Sequence, residues 1–451
     1  SFPVFIVRSK LKRHSTENQL VTIEIASWNK DEKISYGNIV RHFGNVSDID
    51  AVCNALLFKF NVFPNKSNYN LAKYEPIFDF SGRTEITCPI YSIDPHGCED
   101  IDDAFSLEAN KLYIHISDVY SFLLKNSLLN KINNITSIYL TNDKVLHAID
   151  THLASNWCSL KANTTRYMIT LEINLSNMQY KFYPSFGRIT SNYSYENYNR
   201  EMDDKFTLIS TLFHEYLGYT KPVKDSHQFI EVMMIMYNYL FVENLKKMKK
   251  APIYRVQGVS EQKYSEEDNE LCQFLNIINS KSANYSWEDI GHAHLGINNG
   301  YSHTTSPIRR LVDLLNQEIY YGKRELIEKF TLNDINEYNN SLKKYYRKQD
   351  LVKLVDIIQH KAYEEVECYI YEFVDNCLQI YIPKYSVNIT HRIIDKKMEE
   401  LYQIEKTDFD LTIRKELEQF KCKFGQLTTI KMYGKLNISN LNGSLKLDLF
   451  N

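Results

Sequence analysis

Glycine is scarce in this chain of 451 residues, at 14, and proline scarcer still at 10. Collagen-like, Gly/Ser-linker and proline-rich low-complexity architectures are thereby excluded. The eight cysteines, at positions 53, 88, 98, 158, 272, 368, 377 and 422, form no C-x-x-C pair and no cluster. Neither a disulfide framework nor a structural zinc site can be read from that spacing, and an intracellular, reducing setting, cytoplasmic or nuclear, is expected. No sign of charge dominates, since 53 Lys and Arg oppose 56 Asp and Glu for a net −3. Any site for a polyanion must therefore be local. There is also no long hydrophobic run: the longest, residues 232–242, is about half a membrane crossing and contains Asn238. A soluble protein without a membrane partner is expected. Residues 1–8 place a short apolar run before basic residues, the reverse of a secretory signal. The lack of an initiating Met fits either a fragment or an engineered chain.

What is present reads as globular. Hydrophobic residues make up 43% and charged ones 24%, which excludes large-scale disorder. At roughly 150 residues per domain the length implies about three domains. Residues 18–75 read as short β-segments broken by turn signals, with Val21-Thr22-Ile23-Glu24-Ile25 alternating and Tyr36-Gly37-Asn38 turning, which suggests a small barrel. Residues 80–360 mix alternating strands, such as Leu112, Ile114 and Ile116 within 111–118, with helical periods near 205–215, 226–250 and 307–320. After 364 short strands return, Cys368-Tyr369-Ile370-Tyr371 and Leu378-Gln379-Ile380-Tyr381-Ile382-Pro383, then 431–437 and 445–450 around Asn442-Gly443. A second barrel is expected there, and the chain shows no solenoid repeat.

Chemistry concentrates first at Ser92-Ile93-Asp94-Pro95-His96-Gly97-Cys98-Glu99-Asp100-Ile101-Asp102-Asp103-Ala104-Phe105. Residues 91–110 hold six acids and no Lys or Arg. Carboxylates brought within a few ångströms raise one another's pKa unless a cation intervenes. Mg²⁺, or Mn²⁺, suits such oxygens and keeps positions open for phosphate and water. A solvated acidic loop is the bland alternative, but the apolar flanks at Tyr91, Ile93, Ile101, Phe105 and Leu107 speak for a packed segment. An EF-hand fails, because counting from Asp94 puts Glu99 where the loop needs Gly and Phe105 where it needs Glu.

A second constellation is Tyr301-Ser302-His303-Thr304-Thr305-Ser306-Pro307-Ile308-Arg309-Arg310, with apolar residues at 308, 311, 312, 315 and 319. It reads as a helix start in which Ser306 caps, Pro307 takes the first position, and free N–H groups beside two guanidinium groups cradle phosphate. The alternative is a capped helix whose arginines face solvent.

In order along the chain, these motifs with Tyr113-Ile114-His115-Ile116-Ser117-Asp118-Val119, Thr136-Ser137-Ile138-Tyr139-Leu140, Cys158-Ser159-Leu160-Lys161-Ala162-Asn163 and Arg166 resemble the RNase II/R (RNB) exoribonucleases, their eukaryotic exosome branch in particular. Trp28 and Gly37-Asn38-Ile39-Val40-Arg41 with Gly44 resemble that branch's second cold-shock barrel.

The resemblance implies an α+β fold class: a central mixed α/β RNB nuclease domain (81–360) between OB barrels, cold-shock-like at 1–80 and S1-like at 361–451. It places the family's four catalytic, metal-holding aspartates on Asp94, Asp100, Asp102 and Asp103, and its catalytic arginine on Arg309. Tyr139 matches the tyrosine that stacks on the terminal base and sets the final product length, and Glu231 a nucleotide-contacting glutamate. Arg166, Lys161 and Arg310 are further RNA-contact candidates. On an apolar helix the Glu231 carboxylate would be costly unless paired, while the methionines beside it and the lysines of 246–250 read as core and a solvated helix end.

The activity implied is processive, sequence-nonspecific 3′→5′ hydrolysis of single-stranded RNA to 5′-monophosphates by two Mg²⁺ ions. The expected partners are RNA and an RNA-degradation complex or helicase, with the chain itself a monomer. The competing reading is a non-catalytic single-stranded RNA-binding module. The sequence departs from the family in Ser117, where Ala is usual, and in a loose S1-type match over 384–425. The family's further C-terminal glutamate has no secure match among Asp356, Glu364 and Glu365. Exosome-type members carry an endonuclease domain and a first cold-shock barrel ahead of the matched part. With neither in these residues, no endonuclease activity is expected of them.

Overall fold

The computed structural model describes residues 5–8, 18–27, 35–63, 71, 74–141, 144–198, 204–218, 225–259, 269–361, 363–393, 402–415, 418–437 and 442–448. Trp28 and Phe450 lie outside the described residues.

In the first segment β3 (Ser35–Asn45) is central, with β1 (Phe5–Arg8) parallel on one side and β2 (Gln19–Ser27) antiparallel on the other. The β-reading of 18–75 is corrected at α1 (Ile49–Lys59), a helix capped by the Asp48 carboxylate, which accepts from the Asp50 N–H at 2.9 Å. Val52, Cys53, Leu56 and Leu57 repeat at helical spacing and form one buried face, whereas strand alternation would have divided them between two faces. Among the described residues these three strands do not close into a ring.

The closed ring lies in the centre. It comprises β4 (Thr84–Asp94), β5 (Asp103–Glu108), β6 (Lys111–Ser117), β9 (Thr165–Asn174) and β10 (Tyr180–Ser194), in the order β10-β4-β5-β6-β9. Its β10–β4 seam is parallel and close-packed at Gly187, where a Cβ would stand 2.6 Å from Ile90 Cδ1 and 3.2 Å from the Ile86 carbonyl oxygen, so that Ile90 would have to shift. The interior is partly polar: His115 hydrogen-bonds Ser106 Oγ at 3.0 Å through Nε2 and Thr170 Oγ1 at 2.8 Å through Nδ1. Between β6 and β9 run α2 (Val119–Lys125) and the two-residue pair β7 (Ile138–Tyr139) and β8 (Val145–Leu146).

Helices enclose the ring. After α3 (Tyr195–Tyr198) come α4 (Asp204–Leu217) and α5 (Ser226–Lys247), followed by β11 (Tyr254–Val256), α6 (Glu270–Asn279), β12 (Asn284–Ser286) and α7 (Leu311–Tyr320). Phe105, Ile114 and Ile116 of the ring share a core with Phe229, Met233, Met236 and Phe241 of α5 and Leu311, Leu314 and Leu315 of α7.

The helix expected over 307–320 is corrected at its start, which lies at Leu311 with Arg310 as N-cap. The N–H groups of Ser306 and Ile308 are already taken by the carboxylates of Asp313 and Asp102, at 2.7 and 2.8 Å. Ser306 is therefore not a cap, and these amides are not free to cradle phosphate.

A long helix that the periods did not reveal, α8 (Leu332–Gln359), connects the segments. Its middle packs on α1 through Leu342, Tyr345 and Val352. Its end packs on the last sheet through Leu354, Val355 and Ile358. That sheet is antiparallel, in the order β15-β14-β13-β19-β20, from β13 (Glu364–Val374), β14 (Cys377–Ile382), β15 (Val387–Arg392), β19 (Leu427–Asn437) and β20 (Asn442–Asp448). A separate three-stranded sheet joins β16 (Tyr402–Lys406), β17 (Asp410–Lys415) and β18 (Glu418–Lys423). Asn442 and Gly443 open β20, paired with Asn437 and Leu436, and are strand rather than turn. Among the described residues no helix is long and apolar enough to cross a membrane.

Candidate functional site

The acidic motif is the link between two ring strands. β4 ends on Asp94 and β5 begins on Asp103. The chain reverses between them through a turn in which the Cys98 N–H donates to the Pro95 carbonyl at 3.1 Å and Gly97 takes φ +78°, a conformation glycine adopts without strain. Ile101 is buried, its N–H donating to Ser159 Oγ at 3.1 Å and its carbonyl accepting from the Leu160 N–H at 2.9 Å. The Cys158-Ser159-Leu160 motif thus holds the acidic link against the ring, packing Asp100, Ile101 and Asp102 while Pro95, His96, Gly97 and Glu99 stay exposed.

Asp102 is 3% exposed. Its Oδ1 accepts the Ile308 N–H, and its Oδ2 faces Arg309 Nε at 3.3 Å, an ion-pair contact short of hydrogen-bond geometry. Arg309 lines the cleft on the opposite side, its side chain 44% exposed. Arg310 is held by Asp313, donating to its Oδ1 at 2.8 Å.

Desolvation dominates the electrostatics. Burial pushes the Asp94 carboxyl up to about 6, with Asp100 adding to the rise and Ser92 and Arg309 opposing it. Asp103 is pushed up to about 8 by burial and the Asp94 charge, against Arg309 and Arg310. Asp102 is raised well above the carboxylate range by burial, although Arg309 and the Ile308 N–H pull it down. Arg309 and Arg310 do not compensate so many buried acids.

The surroundings form one cleft of about 1310 Å³, lined by all four aspartates, Tyr139, Glu231, Arg309 and Arg310. The Tyr139 hydroxyl donates to Asp100 Oδ2 at 3.3 Å, and its N–H donates to the Tyr346 hydroxyl at 3.1 Å. Glu231 is exposed on the cleft face of α5. This corrects the expectation of a costly buried carboxylate, because the helix turns its apolar residues inward and this one toward water. Arg166 lies elsewhere: its guanidinium donates to the carbonyls of Asn156, Ser159 and Thr165, at 2.6, 3.0 and 3.0 Å, and braces the same segment that holds Ile101. Neither Arg166 nor Lys161 lines the cleft.

Several lining residues carried no sequence signal. Arg255 lies over the Tyr285 ring at 4.7 Å. Tyr195 stacks on His227 with centroids 3.7 Å apart. His147, half-buried with its side chain 7% exposed and its pKa lowered chiefly by desolvation, sits 3.8 Å from Asp100. Each lies outside the acidic and Ser-Pro-Ile-Arg-Arg motifs, and only folding brings them to the cleft.

Among the described residues, no three His, Cys, Asp or Glu side chains are gathered closely enough to hold an ion by themselves. Mg²⁺ is ordinarily held by one or two carboxylates, with water and phosphate oxygens completing its shell. Asp94 Oδ2 and Asp102 Oδ2 are buried without a hydrogen-bond partner, donors of the kind such an ion takes. The carboxylate set fits Mg²⁺ or Mn²⁺ on that basis.

Comparison with known proteins gives a consistent result. The family model described as RNB domain matches residues 83–216 and 209–322, and that described as Dis3-like cold-shock domain 2 matches residues 2–61. Ribonuclease R of Buchnera aphidicola is 25% identical over 351 residues, covering 57% of this chain and 48% of that protein. The chain spans about half the length of this curated relative. Among solved structures, Mycoplasma genitalium RNase R in complex with ribose-methylated single-stranded RNA superposes with a TM-score of 0.79 at 17% identity, over 99% of this chain and 85% of that one. Yeast Ssd1, a pseudonuclease, superposes with a TM-score of 0.70 at 11% identity, over 96% and 77%. At these identities the superpositions establish the fold alone. The fold is an RNB domain preceded by a cold-shock OB domain, an α+β arrangement.

Proposed function

We propose, for a chain that belongs to the RNB family, that it is a 3′→5′ exoribonuclease hydrolysing single-stranded RNA processively to 5′-nucleoside monophosphates. The observation that carries this reading is the convergence of Asp94, Asp100, Asp102 and Asp103 with Arg309 at one cleft that also presents Tyr139 and Glu231. A cleft that gathers buried acids without enough protein cations is built for bound cations, and those in turn for phosphate.

Asp94, Asp100 and Asp103 would mainly hold the divalent ions, and Asp102, fixed by the Ile308 N–H, would orient the attacking water. When bound, a pair of Mg²⁺ or Mn²⁺ ions supplies acidified water and stabilises the leaving oxygen in an in-line displacement. Arg309, only half engaged by Asp102, directs its free N–H groups to charge developing on the phosphate. Tyr139 offers a ring for the terminal base and Glu231 a contact to the nucleotide. Arg310 serves the site through Asp313. The S1-type assignment of 361–451, the domain limits at 80 and 360, monomeric state, intracellular location and membership of an RNA-degradation complex belong to the same proposal.

The second reading, a non-catalytic RNA-binding module, is favoured by the superposition on a pseudonuclease. A labelled single-stranded RNA separates the two. Hydrolysis with Mg²⁺ to mononucleotides, abolished by EDTA and lost in Asp102→Asn, supports the enzyme. Tight binding without turnover under Mg²⁺ or Mn²⁺, or full activity in Asp102→Asn, rejects it.

A further inference from the structure

We propose that His147 is a positioning residue that holds the Asp100 carboxylate for its metal, which deepens and rests on the reading above. The observation is the surroundings of one carboxylate. Asp100 is buried, and its Oδ1 accepts from the Cys98 thiol at 3.6 Å while its Oδ2 accepts from the Tyr139 hydroxyl at 3.3 Å. The same Oδ2 lies 3.8 Å from His147 Nδ1, with both side chains nearly excluded from solvent, at 7% and 6% exposure. His147 Nδ1 is itself buried without a hydrogen-bond partner. A buried ring nitrogen left unpaired is unusual and calls for a partner, and the acceptor beside it is Asp100. Hydrogen bonds in an unliganded site are often long and tighten once the site is filled.

The backbone gives this pair a reason to move together. Tyr139 ends β7 and His147 follows β8, so one two-stranded turn delivers both donors to one oxygen. The turn is fastened on its far side: the Ala148 N–H donates to Ser137 Oγ, and Ser137 N–H and Thr136 Oγ1 both donate to the Arg309 carbonyl, each at 2.9 Å. His147, Tyr139, Asp100 and Arg309 are therefore linked through a continuous set of contacts. Two donors on Oδ2 fix the plane of the carboxylate and leave Oδ1, with the Cys98 thiol at 3.6 Å, to face a cation, as outer partners orient the ligands of metal sites. Glu99 and Asp150 also act on His147.

Mn²⁺ titrated into the full chain without RNA, followed by electron paramagnetic resonance, tests this independently of turnover. His147→Phe keeps a ring and removes Nδ1, and its Mn²⁺ affinity is expected to fall by about 10–100-fold, the usual scale for losing such a partner. His147→Asn returns an N–H near the Nδ1 position and is expected to recover most of the loss. Unchanged affinity in His147→Phe, or His147→Asn as weak as His147→Phe, overturns the proposal. In spin-echo spectra, a directly bonded imidazole nitrogen present in the wild-type Mn²⁺ form and absent from His147→Phe would make His147 a ligand and overturn the positioning role. Mn²⁺ binding in a wild type that does not degrade RNA would reject the proposed enzyme and leave this inference standing. No Mn²⁺ binding rejects the inference.

Discussion

The Ile308 N–H donates to Asp102 Oδ1 at 2.8 Å across 206 residues of sequence. It fastens the segment that carries Arg309 to the acidic link between β4 and β5. Cation and carboxylate thereby meet at a fixed separation, 3.3 Å from Arg309 Nε to Asp102 Oδ2.

Replacing Arg309 tests whether that geometry serves chemistry. Arg309→Lys keeps the charge but loses the planar fork. Hydrolysis is expected to fall by about 10²–10³-fold, the scale for removing one preorganised donor, with RNA binding far less affected. Single-turnover rates and filter binding on the same labelled RNA separate the two effects.

The raised carboxylates make the metal-free protein sensitive to pH. Asp94 and Asp103 stand at about 6 and about 8 when folded, above the ordinary carboxylate value of about 4. Folded chains therefore hold protons that unfolded chains have released, and stability declines as pH rises from about 4 through those two values. In EDTA the melting temperature is expected to drop from pH 5 to pH 8.5. Asp103→Asn is expected to flatten the upper half of that slope. Mg²⁺ displaces the protons, so its stabilising effect should grow over the same interval; a melting temperature flat with pH in EDTA would contradict the desolvated cluster.

Inside the ring, His115 is fully buried, and burial lowers its pKa to about 3. The neutral imidazole joins Ser106 to Thr170. His115→Ala leaves a void and two buried hydroxyls short of a partner, and a loss of about 2–4 kcal/mol is expected. Urea unfolding measures it, and a change below about 0.5 kcal/mol, the range of ordinary surface substitutions, would show that the polar interior carries no stability.

At the cleft wall, Tyr139 is 42% exposed, leaving ring surface for a base. Tyr139→Ala is expected to weaken binding of the RNA end by about 1–3 kcal/mol, the value of one base stacked on an aromatic ring. It should also change the length of the final product. Tyr139→Phe keeps the ring and should keep the product length, so a gel of limit products distinguishes stacking from the hydroxyl contact to Asp100.

The order of motifs and the residues of the acidic link were legible in the sequence, because like charges without compensation and an apolar flank leave a local signature. The same holds for α4 and α5, whose apolar faces repeat every three to four residues and bury in one core. α8 escaped because its buried positions serve two separate clusters and a polar run, Arg347-Lys348-Gln349-Asp350, interrupts the apolar spacing within the first of them. α1 escaped because a turn-rich β context hid one short capped helix.

The sequence by itself determined which residues could do chemistry: four aspartates in ten positions, and an arginine pair behind a proline. Only the tertiary structure decided their roles. It turned Arg309 to the acids and Arg310 to Asp313, placed Glu231 in the cleft and Arg166 against backbone carbonyls, and brought His147 to Asp100. The physical reason is that charge and apolar period are local properties of a chain. Desolvation and the direction of a side chain are set by whichever distant segments pack against it.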